Sequence, residues 1–205
     1  MVQIAHNFSV SDWQKHKVSL ASNMDDCALW NQALDVFESR MDERYIEPVQ
    51  EMQNNLNSTG EGFSVVAILC SLIEALETFY EGKCFNPDGP ANDYEYGNGC
   101  SGQLFTSFLK NKSPFSNSFN QNLAIDFYKN VRCALLHEAM TRNGWVIRVD
   151  TNSLIDIRGN KKILNRNILL AEIKDYIKEY RTSVLQSSVR KQAFIRKMDG
   201  ICENV

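Results

Sequence analysis

A mainly α-helical, antiparallel bundle with one β-hairpin inserted before the last long helix is the fold class this chain predicts. Apolar residues recur at three- and four-residue steps over several long stretches, the spacing of a helix with one buried face. Only one pair of segments, late in the chain, is rich in strand formers. With 205 residues, 43% of them hydrophobic and 23% charged, there is enough material for one sizeable core. The expected organisation is an N-terminal arm over 1–25 and a single helical domain over 26–205.

The arm is polar, with a short amphipathic piece from Asp12 to Leu20. From Ala28 to about Leu56, Leu29, Ala33, Val36, Phe37, Met41, Tyr45, Ile46, Val49 and Met52 line one face of a helix, which Pro48 should kink. A turn-forming run at 54–60 breaks it. Phe63 to Tyr80 carries the broadest apolar stripe and predicts a central bundle helix, ended by Gly82. The stretch 83–102 holds four of the ten glycines and two of the four prolines, so a long loop is expected there. A short helix follows over Gln103–Lys110.

Asn120 to Met140 reads as a helix stopped before Asn143-Gly144. Trp145–Val149 and Leu154–Arg158 flank a turn-like Asp150–Ser153 and read as the β-hairpin, about 145–158. Asn167 to about Gln186 is the last long helix, and a basic helix over Ser188–Met198 follows.

The N-terminus lacks a basic region followed by an apolar run. No stretch approaches the roughly 18 uninterrupted apolar residues needed to cross a bilayer. A cytoplasmic protein without membrane contact is expected. Six dispersed cysteines with no CxxC point to reduced thiols rather than disulfides or a closed zinc site. The net charge of -3 hides an asymmetry. Up to Val131 there are 8 Lys+Arg against 17 Asp+Glu, and from Arg132 onward 14 against 8. The basic half suits a polyanionic ligand, and equally a contact with the acidic half. GxSxG, GxxxxGK[ST] and GxGxxG are all absent, which sets aside nucleophile-elbow hydrolases, P-loop NTPases and dinucleotide binders.

The segment Tyr128–Trp145 concentrates the chemistry. Of the three histidines, only His137 lies in a helical, apolar-backed segment. On an ideal wheel Leu123, Ala124, Phe127, Tyr128, Val131, Ala134, Leu135 and Ala139 form the apolar face. Asp126, Lys129, Asn130, Cys133 and His137 gather opposite. Arg132 then lies ~140° around the axis and ~7.5 Å along it from His137, within reach of one shared ligand. By spacing alone the pair also fits an ordinary ion pair and a histidine at a helix C-terminus.

Arg132-x4-His137, on the polar side of a late helix in an otherwise α-helical chain, resembles the signature of the HEPN (higher eukaryotes and prokaryotes nucleotide-binding) superfamily. The likeness spans roughly Ala28 to Gln186. It implies a metal-independent endoribonuclease without cofactor, with Arg132 and His137 as catalytic residues. The 2′-hydroxyl of RNA is the nucleophile, the imidazole moves the proton, and the guanidinium meets the charge that builds on phosphate. The products are a 2′,3′-cyclic phosphate and a 5′-hydroxyl. The resemblance also implies a C2 homodimer that joins two motif helices in one cleft. A toxin of a toxin–antitoxin pair or a phage-defence effector, held by a protein inhibitor or antitoxin, is the setting it suggests.

Cys133 stands where active members of that superfamily usually carry Asn, Asp or His. Asn130 and Glu138 are the residues that would support the pair in its place. Lys129, Arg142 and Arg148 are expected to contact flanking RNA phosphates. Glu74 and Glu77, with Glu81 and Lys83 nearby, either extend the site or form a solvated face. Tyr94 and Tyr96 either stack on bases or pin the 83–102 loop. The alternative expectation is a catalytically inactive HEPN-like dimer that binds RNA, nucleotide or a protein partner. A helical protein whose basic half docks on an acidic partner, with Arg132 and His137 dispensable, is a third.

Overall fold

A computed structural model describes residues 2–54, 60–88, 92–97 and 99–203. They form a mainly helical protein with a few small sheets, in the order β1 (Gln3–Ala5), β2 (Phe8–Ser9), α1 (Val10–Ser22), α2 (Cys27–Met41), α3 (Glu47–Asn54), α4 (Glu61–Glu81), β3 (Cys84–Phe85), β4 (Glu95–Tyr96), α5 (Ser101–Asn111), α6 (Gln121–Phe127), α7 (Ala134–Glu138), β5 (Trp145–Arg148), β6 (Ile155–Arg158), β7 (Lys161–Asn165), α8 (Arg166–Gln186) and α9 (Ser188–Glu203). Of the break expected at 54–60, residues 55–59 lie outside the described set. The helix α4 is long and apolar enough to cross a membrane, yet 56% of its most apolar window is buried inside the protein, as in a core helix.

Where the sequence suggests one domain behind an arm, the chain divides into two compact units. The first takes Met1–Arg44, Thr78–Cys100 and Ile177–Val205. Its N-terminal part differs from an arm: β1 and β2 pair antiparallel, and Ser9 and Asp12 cap α1 reciprocally. Trp13 and Leu20 are fully buried, and the Trp13 indole donates to Asp199 of α9 at 2.7 Å. A polar segment reads as loose because the two apolar anchors that fasten it are seven residues apart, too few to show a stripe. Around Phe194 the rings of Trp13, Trp30, Phe37 and Phe79 gather at 6.1–6.2 Å between centroids, mostly edge to face. Of the loop expected at 83–102, residues 89–91 and 98 lie outside the described set; in the rest, β3 and β4 make a two-residue parallel pairing, and the side chain of Asn92 accepts from the amides of Tyr94 and Glu95.

Tyr45–Glu77 and Ser101–Tyr176 make the second unit. Asp42–Ile46, which joins α2 to α3, is a π-helical turn. Pro48 has no N–H to give, and its ring crowds the carbonyl four residues back, so a wider turn just upstream absorbs the misfit. In the core, Val65, Val66, Leu69, Leu72, Ile73 and Leu76 of α4 are fully buried, as are Phe105, Phe108, Phe127, Val131, Leu164 and Ile173.

The expected hairpin is replaced by a three-stranded sheet in the order β5-β7-β6. Trp145–Arg148 pairs parallel with Lys162–Asn165, and Ile155–Arg158 pairs antiparallel with Lys161–Leu164. Both predicted segments are strands, but they do not pair with each other. The central strand β7, KKILN, lies in the stretch between the expected hairpin and the last helix, to which the sequence assigns no element. The tight reversal at Gly159, with φ +58°, makes the hairpin between β6 and β7 instead.

Candidate functional site

The motif segment is not one regular helix. α6 passes into a π-helical stretch, Tyr128–Cys133, and then into α7. A π turn is wider than an α turn by about one residue, yet Val131, Ala134 and Leu135 stay buried as the apolar face of the ideal wheel requires. The buried positions are Ala124, Phe127, Val131, Ala134 and Leu135, and the chain from Leu136 to Met140 is exposed. Ala139, expected on the apolar face, instead ends the helix in the left-handed conformation, φ 53°.

Arg132 turns inward to α4. Its Nη2 donates to Glu74 Oε2 at 2.8 Å, with side chains only 19% and 14% exposed. The guanidinium also lies 5.6 Å from the centre of the Tyr128 ring. Burial by itself opposes the positive charge, and Glu74, then Tyr128, outweigh it, so the Arg132 pKa stands above its ordinary value. The Tyr128 phenol is raised by burial first and then by the neighbouring Cys133. That ring is held by Phe105, 5.5 Å between centroids, and by Gly102, where a Cβ would come within 2.8 Å of it. Cys70 on α4 is pushed up to about 12 by burial, with Arg132 working in the opposite direction.

His137 projects from the last turn of α7 and is exposed. Arg132 and His137 do not hydrogen-bond each other: one is locked to α4 and the other faces solvent. Beside His137, Leu136 and Met140 are 55% and 46% exposed, large apolar side chains without cover on the described surface.

The supporting residues divide. Asn130 Nδ2 donates to the carbonyl and the carboxylate of Asp126 at 3.1 and 2.8 Å, and its carbonyl accepts from Arg142 N at 2.9 Å. It therefore braces the helix against the following turn rather than the Arg132 side chain. Glu138 pairs with Arg142 one turn on. Arg148 pairs with Asp150 through two hydrogen bonds, and Lys129 is exposed. Two of the three expected RNA contacts thus carry a carboxylate partner at the surface. Arg148 also lines a cavity of about 480 Å³ with Thr141, Phe63, Ile147 and the Arg166–Glu61 ion pair.

Glu74 and Glu77 are not a solvated face. Glu77 is 1% exposed and bonds Lys112 and Ser107. Their carboxylates sit on the buried side because each meets a donor from another helix, which a wheel of α4 alone does not contain. Glu81 pairs with Lys83. In the first unit Tyr96 is buried beside Phe85 and anchors the loop, whereas Tyr94 is 57% exposed with Arg196 over its ring at 4.7 Å.

A residue that the wheel shows only as polar, Asp126, organises the segment. Its carboxylate accepts from Asn130, Asn143, the Trp145 indole and Lys162 at 2.7–3.0 Å. Burial opposes its charge, and these donors, Lys162 first, more than offset it, so its pKa lies below the ordinary carboxylate value. Asp126 is what fastens the motif segment to the sheet. Among the described residues, no three His, Cys, Asp or Glu side chains come together as a metal site.

The arrangement offers a guanidinium with donors left over beyond Glu74, an exposed imidazole, and a single copy of each per chain. Compared with family models, with curated proteins and with solved structures, the chain finds no match.

Proposed function

We propose that the protein is a HEPN-type, metal-independent endoribonuclease that acts as a homodimer, with Arg132 and His137 of both protomers lining one RNA cleft. The observation that carries this reading is the exposure of His137 between Leu136 and Met140. An imidazole meant for substrate must reach solvent, and two uncovered apolar side chains beside it suit a second copy of the same helix. One histidine cannot readily act as base and acid in the same step, so a two-fold pairing supplies the missing group. Arg132, fixed by Glu74, presents its remaining fork to the phosphate as charge builds there. Lys129, Arg142 and Arg148 meet flanking phosphates, the last two after leaving their surface carboxylates, pairs of the kind worth about 0–1 kcal/mol. The biological setting we propose is a toxin or defence effector restrained by a protein inhibitor.

The Glu74 pairing and Cys133 favour a second reading, an inactive HEPN-like dimer that binds RNA, nucleotide or a protein partner. One experiment separates the two. Purified protein is incubated with single-stranded RNA in EDTA, and ends are typed chemically. Cyclic phosphate ends that vanish in both His137→Ala and Arg132→Ala support the nuclease. Binding without cleavage supports the inactive dimer, and cleavage that persists in His137→Ala overturns the catalytic assignment. Leu136→Asp with Met140→Asp should convert a dimer to a monomer by light scattering.

A further inference from the structure

Within the second unit, β5 is an edge strand. β7 pairs with it on one side, and the phase of that ladder decides which main-chain groups are left on the other. Lys162 N donates to the Gly144 carbonyl at 2.9 Å. In a parallel ladder of this register, Val146 and Arg148 therefore turn their N–H and C=O groups to β7, while Trp145 and Ile147 turn theirs away. Those of Trp145 are met: its N–H donates to the Arg142 carbonyl at 3.1 Å, and its carbonyl accepts from Thr141 Oγ1 at 2.7 Å. Those of Ile147 meet no partner among the described residues.

That edge borders the cavity of about 480 Å³, which the chain over 146–149 lines together with Phe63 and Arg166. A strand edge is ordinarily blunted by proline, a bulge or a covering element. β5 has neither proline nor bulge, and at Ile147 the cavity stands in the place of a cover. The strand is held in position from behind, since a Cβ on Gly62 of α4 would lie 3.4 Å from Ile147 Cγ2. Two large apolar side chains stand open at the walls, Phe63 at 42% and Val149 at 49% exposure. Arg148 adds a cation. Its Nε and Nη2 go to Asp150, in a surface pair of the kind that exchanges for another carboxylate at little cost.

We infer that this cavity takes an extended peptide segment of a protein partner, which adds as a further strand along β5 at Ile147, lays an apolar side chain against Phe63 and Val149, and sets a carboxylate on Arg148. An extended chain is the ligand that offers an N–H and a C=O at the strand repeat, with side chains alternating between the two faces. A second copy of β5 is the poorer occupant, because it brings its own Arg148 into the groove, like charge toward like. The site stands on residues of the second unit alone. It does not depend on the ribonuclease reading, although Arg148 belongs to both.

The test selects random peptides displayed on phage against the full chain, then measures synthetic copies of the enriched ones by titration calorimetry and amide hydrogen exchange. Enriched peptides should carry apolar residues at alternate positions and an Asp or Glu. Without peptide, the Ile147 amide should exchange at least tenfold faster than those of Val146 and Arg148, and bound peptide should slow it tenfold or more. N-methylation of a peptide amide that faces β5 should weaken binding tenfold or more. Arg148→Glu should do the same, with its fold verified by circular dichroism, whereas Ile147→Val, which keeps the main chain, should bind as the parent does. No enriched peptide, affinity unchanged by every single N-methylation, or an Ile147 amide that exchanges as before in the complex would each overturn the assignment. So would Ile147 protection that rises with protein concentration in the absence of peptide, which gives the edge to a second copy.

Discussion

Glu172 is a carboxylate on α8 whose Oε2 is buried without a hydrogen-bond partner. Burial, and then the neighbouring Asp175, push its pKa from an ordinary 4.5 up to about 7. The folded chain therefore binds this proton more tightly than the unfolded one. That stabilisation is complete below pH 4.5 and is lost as pH rises toward 7. Glu172→Gln imitates the protonated form, so in thermal melts it should match the parent at pH 4 and exceed it by ~2–4 °C at pH 8. The size allows for screening of a half-exposed group. An equal shift at both pH values would show that ionisation is not the cause. The Arg132–Glu74 pair makes the opposite point about a partnered charge. Glu74→Gln should cost ~1–3 kcal/mol in urea unfolding, because it leaves a largely buried guanidinium without its counter-ion. Arg132 and His137 were legible as candidates from residue type and spacing. Glu74 was legible only as a possibility, since its partner lies 58 positions away.

Helix ends and strand pairings show how far local pattern reaches. The helices α4, α5 and α8 begin and end within a residue or two of where periodicity puts them, because one apolar stripe with clear breakers defines each. The motif segment contains a π-helical stretch that no proline or glycine in 128–133 signals, yet its buried positions all lie on the wheel's apolar face, and Ala139 departs from it because the helix ends there. Two substitutions test its far end. Ala139 adopts φ 53° without being glycine, so Ala139→Gly should stabilise the fold by ~0.5–1 kcal/mol, relief of left-handed strain exceeding the entropy glycine adds to the unfolded chain. Gly144, at φ +78° and with a Cβ position 2.2 Å from the Asn160 carbonyl, should tolerate nothing larger. Gly144→Ala should cost ~2–4 kcal/mol in chemical unfolding by forcing β5 from β7. A neutral result would mean that the turn is not held as described.

All six cysteines are free: Cys27 is exposed, Cys70 and Cys202 are buried, and the rest lie between. Titration of the native protein with a thiol reagent should modify Cys27 first and Cys70 last, since Cys70 is both enclosed and raised to about 12. In denaturant six thiols should react, and fewer would reveal a disulfide. On this largest scale the sequence by itself determined the helical class, the long amphipathic elements and the isolated Arg132 and His137, because periodicity and residue type are local properties. It did not contain the division into two units, the β5-β7-β6 order, the Glu74 and Asp126 attachments of the motif segment, or the meeting of Phe63 with the open edge of β5. Each of those joins residues tens to more than a hundred positions apart. Only the tertiary structure decides them, because which distant polar groups satisfy one another depends on how the apolar faces pack.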